Sequence, residues 1–379
     1  MRASSLNRPV FLMAVALAAI QSLPAGPVQQ ADIETEGGVR IVRNPATPVK
    51  GPDGKVATVS LAEDLVIGND TSREDYWFGF VNSLAVDGAG RIFTLDPKVV
   101  RIRVFGPDGR LVRAFGQKGQ GPGELRGPGS IVVAPDGSLV VLDVLNHRMS
   151  AFTSEGKPLK DESFGLSNIA EVVRDTRANR FGITVVRGEQ PSWELVKLDP
   201  SLKPVLKLHA LPFARKPGAW SGVSIRLFLA LAGEDRFAWM AASDYLIHVI
   251  DASGKEVLRI FKDSVPRKIT SKDRDELIKS SFPEGVPPQL EIDFPESFPA
   301  ASAFMTDEKG RIFVRTYETD GKAGVAMDVF SPDGLYIARL FVPENEDAET
   351  VRNDRLYTIV KEPESGNPLV KRYALKWSR

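Results

Sequence analysis

Residues 86–115 read VDGAGRIFTLDPKVVRIRVFGPDGRLVRAF, and residues 133–160, VAPDGSLVVLDVLNHRMSAFTSEGKPLK, repeat the same plan. In each copy two β-rich runs flank a tight turn, a short link follows, and two more runs flank a second turn. The turns are Asp87-Gly88-Ala89-Gly90 and Pro107-Asp108-Gly109, then Pro135-Asp136-Gly137 and Ser154-Glu155-Gly156. Their glycines supply the positive φ that such turns require. One copy is therefore a four-stranded meander. Runs such as 131–133 and 139–142 are apolar on both strand faces, so the sheet must be covered by further copies of itself.

Further along the chain the repeat survives mainly in its turns. Turns of the first kind recur near Asp87, Asp136, Asp175, Glu234, Asp307 and Asn353, and turns of the second kind near Pro107, Ser154, Pro200, Ser253 and Pro332. There are six of one and five of the other. The missing sixth is explained if the last blade, with strands at 355–360 and 369–377, takes its outer strand from the N-terminal run 55–68. The expected fold is thus all-β, a six-bladed β-propeller closed by an N-terminal strand on the C-terminal blade. Closure of this kind removes exposed sheet edges, which an open stack would leave. Residues 39–48 form a shorter strand ending at Pro48, part of a blade whose remainder lies elsewhere.

Composition is that of an ordinary globular chain: 379 residues, 42% hydrophobic, 26% charged, with 49 Lys plus Arg balancing 49 Asp plus Glu. The balance gives no reason to expect nucleic acid as a partner. The absence of cysteine removes disulfides, thiolate metal sites, cysteine nucleophiles and a lipid-attachment cysteine together. Arg2 and Arg8 precede and flank an apolar run, 10–20, that ends before small residues at Ala25 and Gly26. This order matches a secretory signal, so residues 1–25 are expected to be removed. Residues 26–379 then form one domain, exported to the periplasm or the outside, without membrane insertion and as a monomer.

The motif Asp143-x-x-Asn146-His147-Arg148 followed by Phe152, with FGQKGQGPGEL (115–125) leading into it, resembles the NHL repeat. The mature chain is similar to exported bacterial six-bladed propellers of the TolB-like, NHL-related group. The first unit keeps Asp96, Arg101 and Phe105 but has Val99-Val100 in place of the Asn-His pair. We expect Asp96 with Arg101, and Asp143 with Arg148, to meet across the link between second and third strands and to close their blades by a charge-assisted contact.

In a propeller the tight turns fall on one face, and the inter-blade connectors fall on the other. The long connectors 72–80, 116–129, 209–222 and 263–299 should gather around one mouth of the central channel, where long loops on a rigid scaffold usually carry function. The longest, 263–299, contains a capping box at Thr270-Ser271-Lys272-Asp273 and a helix to about Lys279; it is either a lid or a surface excursion. On this face Trp77, Trp220 and His147 are the candidate ligand-binding residues, because exposed aromatics mark docking surfaces. Trp77 and Trp220 could equally anchor their own connectors.

No nucleophile elbow, phosphate loop, zinc helix or calcium loop occurs. His147, His209 and His248 fall in a strand link, a connector and a third strand, a poor set for zinc as in propeller-type amidating lyases. A lactonase-like divalent site needs acids or amides where first strands begin. Asn82 and Glu171 qualify, whereas Gly129, Ser224 and Ala301 occupy other starts. The sequence therefore points to a non-catalytic binding propeller, without a cofactor, that recognises a peptide, a protein partner or a glycan on its connector face. The alternative is a lactonase-like hydrolase or a lyase with one divalent metal in the channel, held by Asn82 and Glu171.

Overall fold

The structure is a computed structural model that describes residues 30–68, 76–164, 168–213, 219–321, 323–361 and 366–378. The expected leader, 1–25, lies outside these residues. Six small antiparallel sheets follow one another: residues 83–115 (blade 1), 128–163 (blade 2), 169–212 (blade 3), 227–262 (blade 4), 303–342 (blade 5) and 346–378 (blade 6). Their first strands together line a central channel. Every turn of the first kind joins a first strand to a second, and all five of the second kind join a third to a fourth.

The ring closes as the turn count requires. The third strand of blade 6, Pro368–Ser378, pairs antiparallel with Thr58–Ile67, from Ser378 opposite Thr58 to Val370 opposite Ile67. Asp64 fixes that seam by accepting from Arg372 Nε at 2.6 Å and Arg355 Nε at 3.2 Å, and Lys371 Nζ lies 3.1 Å from Glu63.

The strand at residues 39–48 behaves differently from the expectation that it helps complete a blade. Val39–Asn44 pairs in parallel with Glu256–Lys262, the fourth strand of an already complete blade 4, and Asp32–Glu36 adds a sixth strand outside it. The reason lies in Asn44, which is buried. Its Nδ2 donates to the carbonyls of Phe261 (3.1 Å) and Gly334 (2.9 Å), and its Oδ1 accepts from the Tyr336 amide (2.8 Å), so the added strand links blades 4 and 5.

Apolar clusters fill the spaces between successive blades, as sheets that are hydrophobic on both faces demand. Two of the turn glycines do more than permit a positive φ. A Cβ on Gly109 would come within 2.6 Å of Leu65 on blade 6, and one on Gly156 within 2.4 Å of Phe115 on blade 1. The second-kind turn of each of these blades thus seats on the outer strand of the blade before it.

Removal of residues 371–379 takes away most of the strand between blade 6 and its N-terminal partner. The expected outcome is loss of the folded state, read as absence of a cooperative melting transition by circular dichroism. Retention of that transition in the truncated chain would refute the closure role of this seam.

Candidate functional site at the channel mouth

Asp96 and Asp143 end the second strands of blades 1 and 2, and both are fully buried. Each binds the connector that enters its blade. Asp143 accepts from the amides of Arg126 and Gly127 (3.1 and 2.8 Å) and from Asn146 Nδ2 (2.6 Å). Asp96 accepts from the amides of Gly79, Phe80, Lys98 and Val99 at 3.1–3.3 Å. Arg148 Nε stands 3.9 Å from Asp143, while its guanidinium also donates to the carbonyls of Gln120, Gly121 and Glu124.

The expected Asp96–Arg101 contact is not made. Arg101 lies opposite Asp96 in register but is exposed, and the cation near Asp96 is Arg103, with Nη1 at 3.7 Å. Arg103 takes the place that the small, buried Ser150 fills in blade 2, and its longer side chain reaches back to the carboxylate. The link itself keeps its shape: Val100 and His147 share a left-handed backbone, φ 53° and 50°. That conformation is unusual for a β-branched side chain.

The expected connector-face aromatics separate into different environments. Trp77 is 44% exposed, and its carbonyl accepts from Arg103. His147 is also exposed, with its ring edge-on to Phe164. Trp220 instead sits among the connectors: its ring meets Phe282 and Phe294 in T-shaped pairs at 4.9 and 5.7 Å, and its backbone bonds to Glu291 and Asp293. The helix of the longest connector, α1 (Ser271–Ser281), starts at the expected capping box, with Thr270 Oγ1 accepting from the Asp273 amide and Asp273 accepting from the Thr270 amide. Leu277 and Phe294 pack with Val223, Ile269 and Phe298 to seat this connector on the propeller.

His209 is not in a connector. It belongs to the fourth strand of blade 3, Pro204–Pro212, where it faces Trp239; His248 stacks on the same indole at 4.1 Å. Burial lowers the pKa of both imidazoles, opposed at His248 by its hydrogen bond to Glu256.

The channel wall brings together more charge than the sequence suggested. Around a cavity of about 680 Å3 stand Asn82 of blade 1, Glu171 of blade 3, Arg226 before blade 4, Arg315 of blade 5, and Asp347 and Glu349 of blade 6. Asn82, Glu171, Arg226 and Asp347 all lie where first strands begin, which places them at the connector end. Two of the expected strand starts are displaced: Arg226 and Ser302 line the channel, whereas Ser224 lines a small side pocket with Trp193 and Phe213, and Ala301 is buried in the core between blades 4 and 5.

Among the described residues, Glu171, Asp347, Glu349, Arg226 and Arg315 form no ion pairs with one another. Burial pushes the Glu171 carboxyl up to about 7, only partly opposed by Arg226. Burial, with the neighbouring Asp347 charge, also pushes Glu349 up to about 7. Burial lowers the Arg315 pKa; Nη2 donates to the Glu346 carbonyl at 3.2 Å, and Nε is buried without an acceptor. Asn82 donates to the Gly129 carbonyl at 2.9 Å and leaves its buried Oδ1 without a donor.

With respect to a metal, Asn82 Oδ1 and Glu171 offer two oxygens, but among the described residues no three histidine or acidic side chains converge as ligands. The donor set therefore does not fit a carboxylate-rich divalent centre.

The chain matches no protein-family profile, and no curated protein matches it in sequence. Solved structures resemble it in fold. A Bacteroides fragilis protein whose name supposes that it is exported is 12% identical, with a TM-score of 0.54 over 89% of this chain and 99% of its own. A Bacteroides vulgatus protein of the DUF4221 family is 11% identical, with a TM-score of 0.48 over 85% and 99%. A gluconolactonase of Xanthomonas campestris is 12% identical, with a TM-score of 0.43 over 79% and 87%. Among the described residues no helix is long and apolar enough to cross a membrane.

Two outcomes follow from this geometry. Asp143→Ala leaves two connector amides without their acceptor and should destabilise the fold by on the order of 3 kcal/mol in urea unfolding. Arg148→Ala should cost less, because carbonyls at the loop surface can turn to water. The second outcome concerns pH. Glu171 and Glu349 hold their protons in the folded protein up to about 7 but lose them at about 4.3 when unfolded, so their contribution to stability is fully present below that lower value and is lost as pH rises through about 7. The double variant Glu171→Gln, Glu349→Gln should lose this component of the pH dependence of Tm between pH 5 and 8.

Proposed function

We propose that this protein is a binding propeller that captures a peptide end in the connector-side mouth of its channel. The observation that supports it is the set of five mutually unpaired charges of both signs, Glu171, Asp347 and Glu349 with Arg226 and Arg315. A ligand that carries a cation beside carbonyl oxygens answers both halves of that set. A peptide amino terminus has this chemistry: its ammonium suits the carboxylates, and its carbonyls suit the guanidiniums. A neutral glycan would leave the charges unanswered. Trp77, exposed on the same face, offers a surface for a following side chain.

Within the propellers we place the chain beside the TolB-like, NHL-related group. Support comes from the Asp143-Asn146-Arg148 constellation, whose members bond to one another and to the incoming connector. The charge and size order of residues 1–25 supports export.

A second reading has one observation in its favour. Two carboxyls raised to about 7 in one cavity are suited to proton transfer, so an acid–base lyase or hydrolase could be built on Glu171 and Glu349.

Calorimetry with unblocked tripeptides and their N-acetylated counterparts separates these readings. Under the binding proposal the unblocked peptides bind, acetylation weakens them about tenfold or more, and Glu349→Gln does the same. Affinity should be greatest between about 7, where Glu171 and Glu349 ionise, and about 8, where an α-ammonium loses its proton. Equal binding of blocked and unblocked peptides would overturn the proposal, and consumption of the peptide would favour the enzyme.

A further inference from the structure

The ring is not packed evenly. Neighbouring first strands come close around the channel except at one place: Pro128–Val133 of blade 2 and Ile169–Arg174 of blade 3 barely approach one another. Among the described residues the fourth strand of blade 2 is only Glu162–Ser163, and the buried cluster at this seam holds six residues, fewer than at the other inter-blade spaces. What remains open is a cavity of about 900 Å3 at the turn-side end of the channel.

Its wall is mainly apolar. Val132, Val140, Met149, Ala151, Leu159 and Val172 line it, and Val132 and Leu159 are each 44% exposed. The charges at its rim are matched. Arg174 pairs with Asp136 at 3.0 Å, Arg180 with Glu162 at 3.0 Å and Arg352 with Glu308 at 4.0 Å, while Lys160 and Glu234 add one charge of each sign. An occupant whose charge met one of these paired groups would have to compete with its present partner, and an uncharged one need not. The volume is that of a small-molecule site, and Met149 can adapt its shape to a guest.

We propose that this seam is a second ligand site, at the end of the channel opposite the polar mouth and sharing Val132, Val140, Met149 and Val172 with its wall, which takes one uncharged, predominantly apolar small molecule from the turn side. The site does not depend on peptide capture at the opposite end.

The test uses the full mature chain and the neutral fluorophore N-phenyl-1-naphthylamine, titrated by fluorescence. The expected result is saturable enhancement with one equivalent bound. Ala151→Phe fills the cavity and Leu159→Lys charges its wall, and each should weaken the probe about tenfold or more. Leu159 is half exposed, so its variant keeps the experiment decisive if Ala151→Phe fails to fold. Absence of saturable binding, or equal affinity in wild type and a Leu159→Lys variant with an unchanged melting temperature, would overturn the proposal.

Discussion

The strand Thr58–Ile67 must find the last blade across most of the chain's length, and the ring exists only if it does. Each sheet is apolar on both faces, so each needs two neighbours, and a linear stack of six would leave two faces bare. The N-terminal segment secures closure at several points before and within that strand. Val39–Asn44 lies along blade 4, Asn44 bonds into blade 5, the Val49 amide donates to the Tyr336 carbonyl at 2.8 Å, and Asp64 then pairs with Arg355 and Arg372 of blade 6. Residues 39–67 therefore strap blades 4, 5 and 6 from outside.

In that part of the ring, buried ionic networks stand where the early blades use the aspartate–connector motif. Asp328, fully buried, accepts from both Tyr245 and Tyr336 hydroxyls at 2.6 Å and meets Arg339 at 2.7 Å and Lys262 at 3.3 Å. Burial works against its charge, but Lys262 and Arg339 outweigh that and hold the carboxyl below the usual carboxylate range. Glu346 does similar work in blade 6 with Thr358, Tyr373 and Lys371. Such groups are tolerated only when every partner is present, so Asp328 ties blades 4 and 5 together and Glu346 ties the strands of blade 6 to one another.

What the sequence revealed and what it hid follow from the same physics. Turns were legible because a positive φ selects glycine, and the unequal turn count pointed to the closing strand before any contact was known. The channel mouth was largely illegible. Asn82 and Glu171 were visible at strand starts, but Arg226 was missed because the start was placed at Ser224, and Ser302 because it was placed one residue early at Ala301. A one-residue error turns a side chain from the channel into a core, as Ala301 shows. Asp347 and Glu349 sit in a strand of alternating charge, EDAETVR, that lacks the apolar signature of the early repeats. Arg315 comes from the middle of a second strand, Ile312–Thr319, where the repeat gave no reason to look.

The uneven distribution of free charge along the channel is itself a consequence of topology. At the turn end, carboxylates lie within reach of amides that a tight turn leaves open, and they are consumed there. Asp87 accepts from the Arg91 amide, Asp136 from Ser138, Asp175 from Asn179 and Asp307 from Arg311, at 2.8–3.0 Å. Two of those turns also fold an arginine back onto the same carboxylate, at Arg91 and Arg311. The connector end has no such turn. Chains arrive there from the previous blade, their amides are taken by Asp96 and Asp143 set deeper behind the wall, and the Glu171 and Asp347 carboxyls near the starts of first strands line the channel without a backbone amide to accept from among the described residues. Unpaired carboxyls and guanidiniums therefore gather at the connector mouth, while most charges at the opposite mouth are paired and stand over an apolar wall.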